Sequence, residues 1–492
     1  MVSDLTCFLS PRSVAVIGAT SRPGSWGSFI MNGLLAWGFK GKIFPVNHKA
    51  AEVYGIPAFK DVKDIPEPVD LAVFTIPEEH VEEVLLACGQ KQVKGITLIT
   101  AGYGEAIQDG KEKEKHLAAL AHTYGMRILG PNISGTFNLH VGFNAAASPS
   151  DHLCPTNLAA VCQGGYAFYE LLASGFSRGM GVGKFIHTGN ECDLTITDFL
   201  EHFGQDPEVQ AILMYLETIR DGRRFMEVAR QVTSRKPVIA FKAGKTRGGA
   251  RAASSHTGAL AGRRELFQGL LTQLGIIVSP TMEILLPLGH ALVERPPMKD
   301  NRVGIVTMGG SWGVVLTDAL EEQGLSVIEF SPSLQVKLRA VGMPVRASTR
   351  NPVDVGASAL FLDPESMIAI GRAIALSGEV DALILHGIGS PGMQSAETPP
   401  EMVFYLEIQK RVMGGYNALE QESGIPVLIG NHFSPWESQA VWDLNGQGIR
   451  IYNRIDDIAH LLRLMHAYWG RKKGHTPGPS ESPGGQDIRG PL

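Results

Sequence analysis

Along its first 132 residues the chain alternates short, unbroken apolar runs with stretches in which apolar positions recur every three or four residues. The unbroken runs are SVAVIGA from Ser13, KIFPVN from Lys42, LAVFTIP from Leu71, GITLITAG from Gly95 and RILGPN ending at Asn132. Runs that are apolar on both faces predict parallel strands covered by helices, whereas a half-exposed antiparallel sheet would alternate. Between them, Phe29 to Leu35, His80 to Cys88 and Gly110 to Tyr124 carry helical spacing. The pattern predicts a doubly wound, nucleotide-type α/β domain over residues 1–146.

The same rhythm restarts twice. After the polar, Pro-containing ASPSDHLCPTN at Ala147 to Asn157, LAAVCQGG opens a second series whose further strands are KFIHTG, AILMYLE and PVIAFKAG. ERPPMKDN at Glu294 to Asn301 breaks the pattern again, and RVGIVTMGG resumes it. These breaks predict domains over 157–294 and 301–470, so the expected fold is three doubly wound α/β domains. At 492 residues the chain exceeds the roughly 250–300 residues that one hydrophobic core sustains, in keeping with several domains. Residues 471–492 are dominated by Gly, Pro and polar side chains that bury too little surface to offset their ordering entropy, and are expected to form a disordered tail.

Composition removes several function classes. A net charge of −5 without a long Lys/Arg run gives no field for nucleic acid or anionic lipid. The five cysteines, Cys7, Cys88, Cys154, Cys162 and Cys192, are dispersed and lack CxxC spacing, so neither a disulfide framework nor a metal site is expected. No apolar run of about 20 residues and no charged leader occur, and a cytoplasmic protein with no membrane partner is expected.

In an open α/β sheet the carboxyl ends of the strands border the ligand crevice, so the residues just after each run matter most. GATSRPGSWG, Gly18 to Gly27, sits between a strand and a helix. Its glycines let backbone N–H groups approach a diphosphate at a helix N-terminus. The spacing is not GxGxxG, which argues against a nicotinamide-dependent oxidoreductase. Asn47, Thr75 to Pro77, Ala101 to Glu105 and Gly130 to Asn132 end the neighbouring strands. In the second and third domains the first strand runs into a Gly-Gly turn, Gly164–Gly165 and Gly309–Gly310. Two such helix N-termini suit a single phosphoryl group, although each alone also describes an ordinary strand-to-helix turn. The segment KAGKTRGGARAASSHTGALAG, Lys242 to Gly262, places His256 among small residues that leave its ring reachable. One imidazole nitrogen can attack a phosphoryl group while the other donates to a carboxylate, for which Glu217, ending AILMYLE, is the candidate.

Taken in order, these motifs resemble the ADP-forming acyl-CoA synthetases of the acetyl-CoA type, relatives of succinyl-CoA synthetase, over residues 8 to 466. SSHTGALAG at Ser254 to Gly262 resembles that family's phosphohistidine loop, which makes His256 the implied phosphoryl carrier and Glu217 its supporting carboxylate. The resemblance implies a Rossmann-like CoA-binding domain followed by two flavodoxin-like domains. It implies that coenzyme A is held by Gly18, Thr20, Ser21, Pro23, Gly24, Asn47, Ile76, Pro77, Gly102, Glu105 and Asn132. It implies that phosphate is held by Gln163, Gly164, Gly165, Gly309 and Gly310. TMGGSWG and NPVDVGAS, Asn351 to Ser358, resemble the family's NAGGPG and NPVD segments.

The implied reaction converts acyl-CoA, ADP and phosphate to acid, CoA and ATP through an acyl phosphate and phospho-His256. ATP or ADP and Mg2+ would be supplied through a separate ATP-grasp beta subunit in a hetero-oligomer, since no ATP-grasp unit is recognised here. Three departures stand out: CQGG where the family has SQSG, TMGG in place of an Asn-Ala pair, and Ile133 where Cys is common. They keep open the alternative of a catalytically weakened or regulatory CoA-binding paralogue.

Overall fold

The structure, a computed structural model, describes residues 4–106, 109–147, 153–176, 178–246, 248–249, 264–356 and 359–472. The SSHTGALAG loop with His256, and the tail from residue 473, lie outside the described residues. Two compact units divide at Val293 and Glu294.

The first unit holds two main sheets. Strands β1 (Ser13–Ile17), β2 (Lys42–Val46), β5 (Leu71–Phe74), β6 (Gly95–Leu98) and β7 (Arg127–Leu129) form a parallel sheet in the order β2-β1-β5-β6-β7, and β3 (Glu52–Val53) and β4 (Ile56–Pro57) make a small hairpin beside it. The unbroken apolar runs became strands because both faces are covered: every residue of β1, β5 and β6 is buried.

The second sheet contains β8 (Gly135–Asn138), β9 (Phe143–Ala146), β10 (Leu158–Cys162), β11 (Lys184–His187), β12 (Ala211–Leu216), β13 (Val238–Lys242) and β14 (Ile277–Val278), ordered β14-β13-β12-β10-β11-β8-β9. Strands β10 to β14 are parallel, and the β8–β9 hairpin pairs antiparallel on β11. The covering helices start where the sequence supplies caps. Thr195 and Asp198 form a capping box on Ile196–Gln205, and Asp221 accepts from the backbone N–H of Arg224 at 3.0 Å to start Gly222–Thr233.

The expected first domain ended at residue 146, but pairing assigns Gly135–Asn138 and Phe143–Ala146 to the second sheet. Packing explains the difference. Phe8 meets Phe199 edge-to-face at 6.3 Å, Thr136 Oγ1 donates to the Phe8 carbonyl at 3.1 Å, and one apolar core runs from Val14 and Ile30 through Phe143 to Val161 and Phe203. Two predicted domains therefore share a core and behave as one unit.

The second unit has a parallel sheet of β15 (Val303–Thr307), β16 (Val353–Asp354), β17 (Ala382–His386), β18 (Val427–Gly430) and β19 (Ile451–Tyr452), ordered β16-β15-β17-β18-β19. Helices Gly310–Glu322, Pro364–Ala375 and Pro400–Ser423 are among those that cover it, with Asp363 capping Pro364–Ala375. No helix among the described residues is long and apolar enough to cross a membrane.

Each main sheet reverses its direction of growth beside its first parallel strand. The crevices at the carboxyl ends of β1/β5, β10/β12 and β15/β17 are the places where such sheets take ligands.

Candidate functional site

At the first crevice, β1 runs into Gly18, whose φ of +88° and surroundings both require glycine. A Cβ there would sit 2.8 Å from Thr75 Oγ1 and 3.0 Å from Ile76 Cγ2, so the ends of β1 and β5 are in contact through this position. Gly27 closes the loop from the other side, where a Cβ would meet the Gly18 carbonyl at 2.1 Å. Gly24, at φ +77°, has nothing within 4 Å of a Cβ position, which leaves the outer backbone of the loop open.

The polar side chains of the loop shape it. Thr20 Oγ1 accepts from Arg22 N at 3.2 Å, Ser21 Oγ accepts from Tyr54 N at 3.0 Å, and Asn47 Nδ2 donates to the Ala19 carbonyl at 2.8 Å. Residues 21–24, Pro23 included, are exposed. Ile76 presents its carbonyl to Thr100 Oγ1 at 2.7 Å, and Pro77 precedes the short helix Glu78–His80. The structure thus brings Gly18, Asn47 and Ile76 to one loop, open on its outer side, as a cradle for an extended anionic ligand requires.

Glu105 and Asn132 belong to a neighbouring polar cluster. Gly102, at φ +109°, and Tyr103 donate backbone N–H groups to Glu105 Oε1 at 2.6 and 3.2 Å, and Asn190 Nδ2 donates to Glu105 Oε2. Burial alone would raise this carboxyl, but the Gly102 N–H and the Asn190 amide outweigh it and hold it below the usual range. Asn190 also donates to Glu114 Oε1 at 2.7 Å. Asn132, at φ +61°, lies just after the cis Gly130–Pro131 bond and donates through Nδ2 to Asn190 Oδ1 at 3.4 Å.

The second crevice gathers the ends of four adjacent parallel strands. Cys162 at the end of β10 stands opposite His187 on β11 and Tyr215 on β12, and Leu216 stands opposite Lys242 on β13. Gln163 is a clamp: its Oε1 accepts the backbone N–H groups of Glu217 and Thr218 at 2.6 and 3.0 Å, while its Nε2 donates to the Thr218 carbonyl at 2.9 Å. Glu217 is 6 % exposed, with its carboxylate against the Gly-Gly turn. Tyr215 donates its hydroxyl to that carboxylate; burial first, then the Glu217 charge, push the phenol well above its ordinary range. Lys242 is buried too, and burial lowers its pKa against the pull of Glu217. Lys242 Nζ lies 4.8 Å above the Phe267 ring of helix Arg264–Gln273, so the two ends of the segment carrying His256 are held together. His256 itself lies outside the described residues.

The first Gly-Gly departure has a structural reason. A Cβ on Gly164 would lie 2.8 Å from both Glu217 Oε1 and Tyr215 Cε1. The neighbouring Cys162 is fully buried, and burial pushes its thiol up to about 12, so it is a packed strand end. Gly164→Ser, which restores the residue more usual at this turn, is expected to displace the Glu217 carboxylate. Steady-state turnover would fall by about tenfold, on the scale of a lost charge-assisted hydrogen bond, instead of rising.

Sequence reasoning passed over His187 and Asn190, although His187 lies within the predicted strand segment KFIHTG and Asn190 directly follows it. His187 Nδ1 accepts the Ser134 backbone N–H at 2.8 Å, which leaves Nε2 to donate to the Gln163 carbonyl at 3.1 Å. The ring fixes the turn from below. A strand end carrying a His and an Asn was the available signal.

The third crevice lies in the second unit. Thr307 Oγ1 donates to the Gly309 carbonyl at 3.0 Å, Gly309 caps helix Gly310–Glu322, and Asp354 Oδ2 stands 3.0 Å from a Cβ position on Gly310. Asn351 fixes β15 from behind: its Oδ1 accepts from Ile305 N at 3.0 Å, and its Nδ2 donates to the Val303 and Ile328 carbonyls at 3.0 and 2.9 Å. At the end of β17, His386 is buried with its ring 5.7 Å from Trp312. Burial, with His432 nearby, lowers its pKa to about 4.

The unfolded chain binds this proton below about pH 6.5, and the folded chain only below about 4, so stability contributed by neutral His386 is present above 6.5 and lost as pH falls toward 4. Urea unfolding between pH 4.5 and 7 should therefore show a shallower pH slope for His386→Phe than for the unaltered chain. Equal slopes would contradict the assignment.

Among the described residues, no group of three or more His, Cys, Asp or Glu side chains is placed to hold a metal ion.

Comparison with known proteins places these crevices in a family context. A family model described as a CoA binding domain matches residues 12–136, and one described as a succinyl-CoA ligase like flavodoxin domain matches 155–292. The chain is 41 % identical to subunit alpha of acetate–CoA ligase (ADP-forming) II of Pyrococcus furiosus, over 92 % of this chain and 96 % of that one. It is 35 % identical to the acetate–CoA ligase (ADP-forming) of Methanocaldococcus jannaschii, over 70 % of this chain but 48 % of that one. A solved structure of the Ca. Korarchaeum cryptofilum dinucleotide-forming acetyl-coenzyme A synthetase 1, in complex with phosphate and ADP, is 32 % identical. It superposes with a TM-score of 0.82 over 96 % of this chain and 98 % of that one.

Proposed function

The chain belongs to the ADP-forming acetate–CoA ligases, matching their α subunits along almost their whole length, and from that premise we propose that it carries phosphoryl groups on His256 between a CoA thioester site and a nucleotide site on a partner subunit. The observation that carries the reading is the second crevice. A buried carboxylate, Glu217, faces a Gly-Gly helix start on one side, and the strand beside it, β13, leads into the segment containing His256.

Coenzyme A supplies the thiol that is joined to the acid. The glycine loop fits it: its outer backbone is open at Gly24, its floor is fixed by Gly18, Asn47 and Ile76, and helix Trp26–Ala36 begins directly behind. Orthophosphate displaces the thiol from the acyl carbon, giving an acyl phosphate. A His256 ring nitrogen then takes the phosphoryl group and the carboxylate leaves. Glu217 accepts the proton on the other ring nitrogen, fixing the tautomer and offsetting the positive charge that develops on the ring. Backbone N–H groups at the Gly164–Gly165 turn neutralise the phosphoryl oxygens on the side of Glu217.

ADP receives the group with Mg2+ on an ATP-grasp beta subunit. The single-chain M. jannaschii relative supports a partner, because the match covers only 48 % of it while the P. furiosus relatives are named as α subunits. The weakened-paralogue alternative rested on the CQGG and TMGG loops, and at the first of these the fit of Gly164 against Glu217 supports an active enzyme.

Co-expression tests the proposal. With an ATP-grasp beta subunit the complex should form acyl-CoA from acid, CoA and ATP, and the α chain alone should not. ATP turnover by the chain alone, with CoA and an acid, would overturn the division of labour.

A further inference from the structure

The phosphoryl-transfer reading leaves one buried histidine without a part. His187, the last residue of β11, stands beside Cys162 on β10, and its Cε1 lies 3.4 Å from a Cβ position on Gly165. The Gly164–Gly165 turn is thus flanked by two strand ends, with Glu217 on the β12 side and His187 on the β11 side. Two of the ring's partners are one-way groups. The Ser134 backbone N–H can only donate, and it reaches Nδ1 at 2.8 Å; the Gln163 carbonyl can only accept, and it lies 3.1 Å from Nε2. The network therefore assigns the ring its Nε2–H tautomer. Ser134 is a firm anchor, because it directly precedes β8, which pairs with β11, and its carbonyl accepts from Ala147 N at 3.0 Å.

What the Nε2 bond controls follows from peptide geometry. In a trans peptide the C=O and the next N–H point in opposite directions. The Gln163 carbonyl is turned toward His187, so the Gly164 N–H is turned away from it, and among the described residues that N–H meets no backbone acceptor. The other polar atoms of Gln163 are tied to β12 and the residues just past it. Its N–H donates to the Tyr215 carbonyl at 3.2 Å, and its side-chain amide is bonded to Glu217 and Thr218. On the far side, the Gly164 carbonyl accepts from Ala167 N at 3.3 Å as helix Gly165–Phe176 begins. These bonds leave the plane of the Gln163–Gly164 peptide to rotate, and a glycine at 164 lacks the Cβ that would restrict it. His187 supplies the missing restraint.

We propose that His187 is a positioning residue for the phosphoryl step: by holding the Gln163 carbonyl it aims the Gly164 N–H at the phosphoryl oxygens. The proposal rests on the ligase reading above. It also gives the glycine of the CQGG turn a compensating partner on β11: the missing Cβ makes room for the Glu217 carboxylate, and the imidazole restores the rigidity that its absence removes.

The test replaces one half of the ring at a time in the complex with its ATP-grasp partner. Cleavage of acetyl-CoA with orthophosphate and ADP is followed, and kcat/KM for orthophosphate is read separately from KM for the thioester. The amide of His187→Gln ends at the depth of Nε2 and keeps a donor for the Gln163 carbonyl. That of His187→Asn ends at the depth of Nδ1 and keeps only the acceptor for Ser134. His187→Asn should lower kcat/KM for orthophosphate by about tenfold, on the scale of one misdirected hydrogen bond to a charged group, and leave KM for acetyl-CoA within about twofold. His187→Gln should stay within about threefold of the unaltered complex on both measures. Equal values for the two variants, or a parallel loss for orthophosphate and thioester with a lowered melting temperature, would reduce His187 to packing and overturn the proposal while the ligase reading stands. An unaltered complex that consumes no orthophosphate with acetyl-CoA would overturn the ligase reading, and the role of His187 with it.

Discussion

His256→Ala is expected to abolish net acyl-CoA synthesis, with a fall of about 10^4-fold or more, because the proposed mechanism routes the phosphoryl group through this ring. With the ATP-grasp partner and phosphate-labelled ATP, the unaltered chain should acquire a label that is lost in mild acid and stable in base. The variant should acquire none. CoA binding should remain, because the proposed CoA cradle, with Gly18, Asn47 and Ile76, stands at the strand ends of the first sheet. Acid-labile label on the variant, or turnover within a hundredfold of the unaltered complex, would remove His256 from the mechanism.

The features legible in the sequence were those that depend on local rules. Unbroken apolar runs became buried parallel strands, and the residues just after them are the ones at the crevices. The glycine loop at Gly18 was readable because a strand, a turn and a helix follow each other within fifteen residues. What could not be read depends on contacts between distant segments. The β8–β9 hairpin looks like the end of the first domain until its pairing with β11 is known, and Phe8 joins two predicted domains through Phe199.

The site shows the same division. Glu217 was legible as a charged residue ending an apolar strand. The Gln163 clamp was not, because an amide between Cys and Gly-Gly carries no sign of the two backbone N–H groups it accepts from residues more than fifty positions away. The Gly164 departure looked like a lost hydroxyl from sequence alone. In the structure it is the space occupied by the carboxylate and its tyrosine, a relation between β10 and β12 that only their pairing creates.

That pairing also makes Glu217→Gln the sharpest test of the mechanism. The clamp holds Glu217 through its backbone N–H, so a glutamine should keep the turn, the position against Gly164 and the melting temperature close to those of the unaltered chain. What it removes is the negative charge. A neutral amide still orients an imidazole but does not offset the positive charge that forms as the second ring nitrogen takes a phosphoryl group, and loss of one such stabilising interaction costs about 10^2- to 10^3-fold. The variant should therefore label slowly, lose its label faster once formed, and show kcat reduced in that range with KM for CoA nearly unchanged. Glu217→Asp, which keeps the charge but withdraws it by one methylene from the Tyr215 hydroxyl, should fall between the two. If the glutamine variant labelled and turned over at the unaltered rate, the buried carboxylate would be only part of the packing beneath the turn, and the phosphohistidine would have to be supported from elsewhere.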